Sequence, residues 1–338
     1  MAATFVDDIG SFPLPLSVDR ETYDKAYQLA RDAQTKIEDS FIQKNFVDVT
    51  INSFRTKMET GLDIVNTPWH YDGIRQVSDV IHKTMQQGTF IVEEKDAFFP
   101  EVRAIEEQAK QLYEEAGKKI MLRVCMFGPM EQYIAEIGTQ YYSDVLDGYA
   151  ETIQRFAKNA IINNKYIETR VISIDEPSFG IHNILAPTLD VFYQVLERAF
   201  DFQGVTKQVH LHSTAGIHDL LDVENIDVLS FEYAASPKNI DAVSKRMLEQ
   251  AGKQIRIGIS RTDIDTIYAE LNDQGISSPS NEQLIDSVDT IRKRYQKAKE
   301  KYGDLMTFTG PDCGLNGWPN QEAAKTLLTR TVEAIKTL

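Results

Sequence analysis

Short runs of β-branched and apolar residues recur eight times along the chain, each followed by a longer stretch with helical spacing. The runs are TFVDDIG (4–10), LDIVN (62–66), KIMLRVCMFG (119–128), TRVISIDEP (169–177), KQVHLH (207–212), IDVLSFE (226–232), QIRIGIS (254–260) and LMTFTG (305–310). Their length and composition predict buried strands. The intervening segments 21–41, 141–164 and 281–303 carry helical patterns, the last opened by Ser278-Pro279-Ser280 and closed by Gly303. Strand followed by helix, repeated, demands parallel pairing through right-handed crossovers. A doubly wound open sheet would satisfy the same pattern, but no G-x-G-x-x-G follows the first strand and no linker divides the chain. The expectation is one (β/α)8 TIM barrel spanning residues 1–338, with the helical stretch from about 18 to 60 as an enlarged first crossover.

Charge and cysteine content narrow the setting. With 51 acidic against 36 basic side chains the formal net charge is −15, which repels nucleic acid and anionic membrane surfaces, so neither is expected as a partner. Cys125 and Cys313 are too few and too far apart for a disulfide framework, which points to a reduced, intracellular protein. MAATFVDDIG lacks a basic segment leading into an apolar run, and no stretch is long and apolar enough to span a bilayer. A soluble, cytoplasmic protein is the expectation.

A barrel of this kind gathers its chemistry where strands end, because the loops after the strands share one face. Strand five ends in His210-Leu211-His212, strand six in Glu232, strand four in Asp175-Glu176-Pro177, strand one in Ile9-Gly10-Ser11, and strand eight runs into Cys313. Residues two apart on a strand point the same way, so His210 and His212 can present both imidazoles to one point. Glu232 and Cys313 can reach it from neighbouring strands. Two imidazoles, a carboxylate and a thiolate suit zinc, a borderline-soft ion that takes N, O and S ligands tetrahedrally. Glu176, adjacent to Asp175, is expected to face away from the pocket, and His218 is expected in the first turn of the helix after strand five, outside the ligand set.

The segments DDIGSFP, IDEPSFG, VHLH, DVLSFE and above all PDCGLNGWP (311–319), in that order, resemble the catalytic barrel of the cobalamin-independent methionine synthases. The resemblance runs from Ile9 to about Lys325. It implies a zinc-dependent methyltransferase acting on the thiol of homocysteine. The additional N-terminal half of the two-barrel members is absent here, so the chain is more similar to the short, single-barrel members, some of which take the methyl group from a corrinoid protein. Carried over by position, the resemblance makes His210, Glu232 and Cys313 zinc ligands, with His212 where the family usually has cysteine. Ile9, Gly10 and Ser11 match the segment that holds the amino acid carboxylate, and Asp175 the acid that holds its ammonium. A second ammonium-binding glutamate of the family is replaced here in Pro68-Trp69, which makes Trp69 part of the substrate wall. The histidine after strand seven, a general acid in folate-using members, corresponds to Asp263 or to nothing in GISRTDIDT, and Asp263 is the catalytic candidate there.

Such a site would serve one purpose: a thiol ionises well above pH 7, the thiolate is the nucleophile, and a metal supplies it at neutral pH. Two neutral imidazoles, one thiolate and one carboxylate leave a zinc centre of net charge 0, where one imidazole and two thiolates with the carboxylate would leave −1. The neutral centre acidifies a thiol further but makes it a softer nucleophile, which favours a strongly activated donor such as a methylated corrinoid over methyl-folate. Two other readings are retained: methyl or alkyl transfer to a small thiol without an amino group, such as coenzyme M, suggested by Trp69, and a zinc- or thiol-binding barrel without turnover.

Overall fold

The computed structural model describes residues 4–32, 39–181, 184–186 and 188–337. All eight expected strands are present: β1 (Phe5–Val6), β2 (Val65–Asn66), β3 (Ile120–Phe127), β4 (Ile167–Asp175), β5 (Thr206–Leu211), β6 (Val228–Phe231), β7 (Gln254–Ser260) and β8 (Met306–Pro311). Every pair is parallel, in the order β1-β8-β7-β6-β5-β4-β3-β2. Bridges between Asp7 and Ile64 and between Ser11 and Trp69 join the first strand to the second, closing the cylinder. The expected TIM barrel is the observed fold.

The enlarged first crossover consists of helices Arg20–Arg31, Ser40–Ile42 and Asp48–Met58, with a π-helical turn at Gln43–Val47. Residues 33–38 of the helix predicted over 21–41 lie outside the described residues. The long segment after β3 forms a helix at Ser143–Asn159, as its spacing predicts. The segment 281–303 differs: it is two helices, Asn281–Leu284 and Val288–Tyr302. Ser280 and Gln283 form a capping box on the first, and Ser287 caps the second by accepting from the Thr290 amide. The break between them is fixed by distant partners. Asp286 pairs with Arg294 at 2.5 Å, and Arg330 donates to the Ile285 carbonyl at 3.1 Å. None of the helices among the described residues is long and apolar enough to cross a membrane.

The barrel interior is layered, as alternation along parallel strands requires. Ile64, Val171, Val228 and Phe308 form an apolar floor, with Phe5 packed against it. Above it the odd-numbered strands supply Asp7, Arg123, Gln208 and Arg256, all fully buried. Asp7 accepts from Arg123 at 2.6 Å and from Arg256 at 2.7 Å, and Arg123 also donates to Gln208 Oε1 at 2.5 Å. Asn66, Ser173 and Ser230 follow from the even strands, then Ile9, Cys125 and His210 from the odd. Polarity rises toward the C-terminal ends of the strands, where the cylinder opens.

Two guanidinium groups and one carboxylate without access to water depend on one another, because removing one partner of a buried ion network strands the rest. Asp7→Asn is expected to cost about 3–5 kcal/mol of unfolding free energy, measured by urea denaturation. A loss under about 1 kcal/mol would show that the register of the barrel does not depend on this clamp.

Candidate metal and substrate site

The C-terminal ends of β5, β6 and β8 bring His210, His212, Glu232 and Cys313 together, one ligand atom of each lying within 4.8 Å of every other. Metal–ligand lengths of about 2.0–2.3 Å place ligand atoms roughly 3.3–3.8 Å apart in a tetrahedron, so the set needs to contract only slightly around an ion. The Cys313 Sγ to His212 Nε2 distance is already 3.3 Å, and His212 Nε2 lies 4.0 Å from Glu232 Oε1.

The individual side chains fit a cation. His210 is buried, its Nδ1 lies 3.1 Å from Ser230 Oγ, and its Nε2, also buried, has no hydrogen-bond partner. With Nδ1 engaged by the hydroxyl, the Nε2 lone pair is the one available to a metal, the arrangement that metal-bound imidazoles adopt. Burial pushes the Glu232 carboxyl up to about 8, with the Asp312 and Asp263 charges adding to the effect. Burial and the neighbouring Glu232 raise the Cys313 thiol far above its usual range. His210 is held well below an ordinary imidazole by desolvation and by His212 beside it. Without an ion the set is therefore neutral, and a divalent ion binding there displaces protons from Cys313 and Glu232.

Asp312 builds the frame. Fully buried, it accepts from the amides of Tyr233 and Ala234, each at 2.9 Å, and of Ala235 at 2.7 Å, tying the start of the loop after Glu232 to the residue before Cys313. Asn239 donates to the Glu232 carbonyl at 2.8 Å. Gly314 is dictated by proximity: a Cβ there would lie 2.3 Å from Ser11 Oγ. Gly314 thus allows the thiol-bearing loop to lie directly on the loop after β1.

Beside this set opens a cleft of about 470 Å³ lined by Ile9, Gly10, Ser11, Trp69, Phe127, Glu131 and Asp175, together with His210, His212 and Cys313. Lys57 supports its Ile9–Ser11 edge from behind, pairing with Asp8 at 2.5 Å and donating to the carbonyls of Gly10 at 3.3 Å and Asn66 at 3.1 Å. Gly10 has φ +49°, and a Cβ on it would lie 2.7 Å from Trp69 Cε3, so the indole packs directly against this glycine. Trp69 also meets Phe127 edge-on at 5.1 Å, and its buried Nε1 has no partner. Asp175 accepts from Ser173 Oγ at 2.6 Å; burial pushes it up to about 7, while Arg123 and Arg256 below it pull the other way.

Other expectations meet a different geometry. Asp263 does not line this cleft; its carboxylate is held by Arg261 through two hydrogen bonds of 3.0 and 2.7 Å. It acts on the site through its charge, which helps raise Glu232. Glu176 faces away, as alternation predicts, and receives the amides of Met130 at 3.0 Å and Glu131 at 2.8 Å at the start of the helix Pro129–Ile137. His218 lies outside the cluster, its Nε2 2.9 Å from the Ala242 carbonyl. Three contributors escaped the sequence reading: Phe127, Asp312 and Glu131. Asp312 and Phe127 are neighbours in sequence or in register of residues already singled out, and Glu131 follows the end of β3, where the strand-end rule could have found it.

The buried acids set the pH response of the metal-free protein. Burial holds Asp175 near 7 and Glu176 and Glu232 near 8, so up to about pH 8 the folded chain carries more protons at these carboxyls than the unfolded one, and its stability falls as pH rises. His70, lowered to about 3 by desolvation, and His210 oppose this, but only below their unfolded value of 6.5. The melting temperature of metal-free protein is therefore expected to fall between pH 6.5 and 8.5. A flat or rising profile in calorimetric scans would overturn the assignment of these carboxyls as buried and neutral.

No family model matches the sequence, and none of the curated proteins compared with it does. Solved structures do match. A B12-independent methionine synthase from Shewanella sp. W3-18-1, in complex with selenomethionine, superposes with a TM-score of 0.60 at 15% identity, covering 99% of this chain and 98% of that one. A protein from Listeria monocytogenes assigned as a vitamin B12-independent methionine synthase gives 0.58 at 13% identity, covering 100% and 98%. At these identities the likeness is one of fold, and it extends from end to end: the chain has the barrel architecture of those two structures.

Proposed function

We propose that this protein is a zinc-dependent methyltransferase that moves a methyl group to the thiol of homocysteine, giving methionine, with a methylated corrinoid, carried on a partner protein, as donor. One observation carries the reading: a His210, His212, Glu232 and Cys313 set, with the unpartnered Nε2 of His210 within it, opens directly into a cleft that is also lined by the Asp175 carboxylate. The methionine synthase structures of the same fold support it.

When bound by those four residues, zinc would supply Lewis acidity that ionises a substrate thiol at neutral pH. The residues of the chain do the rest. Asp175 meets the substrate ammonium, and that positive charge keeps its carboxyl ionised despite burial. The backbone of Ile9 to Ser11, braced by Lys57, holds the carboxylate end. Trp69 and Phe127 exclude water from one side of the cleft. The thiol proton leaves to solvent; the S–CH3 bond then forms as the bond between methyl carbon and donor breaks, its electron pair staying with the donor. In-line approach requires sulfur fixed while the donor arrives from outside, and the rim at His212, 44% of whose side chain is accessible, is the open side.

Trp69 supports a second reading. An indole fills the position where the resemblance expects a second ammonium-binding acid, so transfer to a thiol without an amino group, such as coenzyme M, fits an apolar wall.

A single assay separates them. Zinc-loaded protein is offered homocysteine or coenzyme M, each with methylcobalamin or methyl-folate. Methionine from homocysteine and methylcobalamin is the expected product, with about one zinc per chain that Cys313→Ser largely loses. Asp175→Asn should raise the KM for homocysteine about ten- to hundred-fold and leave an amine-free thiol unaffected. Turnover of coenzyme M alone would establish the second reading, and zinc binding without any turnover would leave a binding protein.

A further inference from the structure

The cleft contains a second acid beside Asp175. Glu131 lies on the helix Pro129–Ile137 and lines the same cleft as Asp175, Trp69, His212 and Cys313. Its side chain is placed by the chain itself: Ser178, in the loop after β4, donates its amide to Glu131 Oε2 at 3.1 Å. Glu131's own amide is bound by Glu176, so both the backbone and the side chain of this residue are tied to the segment that follows Asp175.

Glu131 also differs from those acids of this protein that hold a cation. Among the described residues no lysine, arginine or histidine lies within ion-pair distance of it, whereas Glu115, Glu151, Asp263 and Glu270 each hold a guanidinium. An uncompensated carboxylate facing a cleft walled by Trp69 and Phe127 attracts a cation, and with Asp175 lining the same cleft it suits a primary ammonium, whose three N–H donors can divide between two acids.

We infer that Glu131 is the second anchor for the amino group of the acceptor thiol, holding the ammonium between itself and Asp175. The inference rests on the thiol-acceptor reading above and adds its specificity: the amino group that Trp69 no longer helps to bind is held by an acid from the helix after β3. Glu131 is then a specificity-determining residue, remote from the reacting sulfur, that selects amino thiols over amine-free ones.

The test uses zinc-loaded protein and Glu131→Gln, which keeps the Ser178 hydrogen bond and removes the charge. Calorimetric titration compares homocysteine with 3-mercaptopropionate, and steady-state turnover with methylcobalamin compares the same two thiols. Homocysteine affinity is expected to fall about tenfold or more and its KM to rise correspondingly, with kcat within about twofold and 3-mercaptopropionate unchanged. Glu131→Asp, which retains the charge, should recover part of the loss. Equal losses for both thiols, or none, would overturn the role of Glu131 while leaving the methyltransferase reading intact. A parent protein that binds 3-mercaptopropionate but not homocysteine removes the amino-group role and favours the amine-free acceptor, and one that binds neither thiol removes both assignments.

Discussion

Asp7 is the residue on which the rest of the barrel is aligned. Its carboxylate touches Arg123 from β3 and Arg256 from β7, its backbone bridges to Ile64 ahead of β2, and Arg123 carries the contact on to Gln208 of β5. One buried anion thus fixes the relative height of strands on opposite sides of the cylinder. An apolar layer could slide by a residue pair at modest cost. A guanidinium separated from its carboxylate in a dry interior could not, since the stranded charges would have no water to replace their partners. The height matters because the side chains at the mouth are counted upward from this layer: His210 is one inward step above Gln208, and Asp175 one above Ser173.

The mouth is held by acids that bind backbone amides rather than cations. Asp312 takes three amides after β6, and Glu176 takes two after β3. Each places a neighbour that faces the cleft, Cys313 in the first case and Asp175 in the second. This division of labour follows from strand alternation: of two adjacent acidic or thiol-bearing residues, one turns outward and becomes scaffold while the other turns inward and becomes chemistry. The outward acids are buried and hydrogen-bonded, so the inward side chains inherit positions more rigid than a loop would otherwise give them.

Local chemistry carried most of the fold. The eight strands announce themselves because buried parallel strands must be continuous β-branched runs, and the strand-end rule then lists His210, His212, Glu232, Asp175 and Cys313 without further help. What local chemistry could not carry were properties owned by a distant partner. The helix break at Ile285–Ser287 depends on Arg294 and Arg330, and Asp263 is taken out of the cleft by Arg261. Arg123 in KIMLRVCMFG and Arg256 in QIRIGIS were a legible signal that went unread. A single charge inside an otherwise apolar strand of a barrel must either meet solvent or find a buried counterion, and these two point inward to Asp7.

Charge balance connects this interior to the proposed chemistry. The polar layer of Asp7, Arg123 and Arg256 carries a net charge of +1 and lies beneath Asp175, drawing its carboxyl down against the effect of burial. The four-residue set above is neutral without metal, and with a divalent ion and two deprotonated ligands it is neutral again. On the proposed reading, Asp175, ionised as the ammonium arrives, and the unpaired Glu131 would lie over a single buried positive excess, one negative charge in surplus. On the same reading, an amino thiol would bring one ammonium to that surplus, with its carboxylate at Ile9 to Ser11 and its sulfur beside His210, His212, Glu232 and Cys313, the residues that would hold the zinc. An amine-free anionic thiol would bring no charge to offset Glu131 and Asp175, and would have to bind with one of them protonated. On this reading electrostatics would select the amino thiol against the amine-free acceptor that the apolar face of Trp69 by itself would favour.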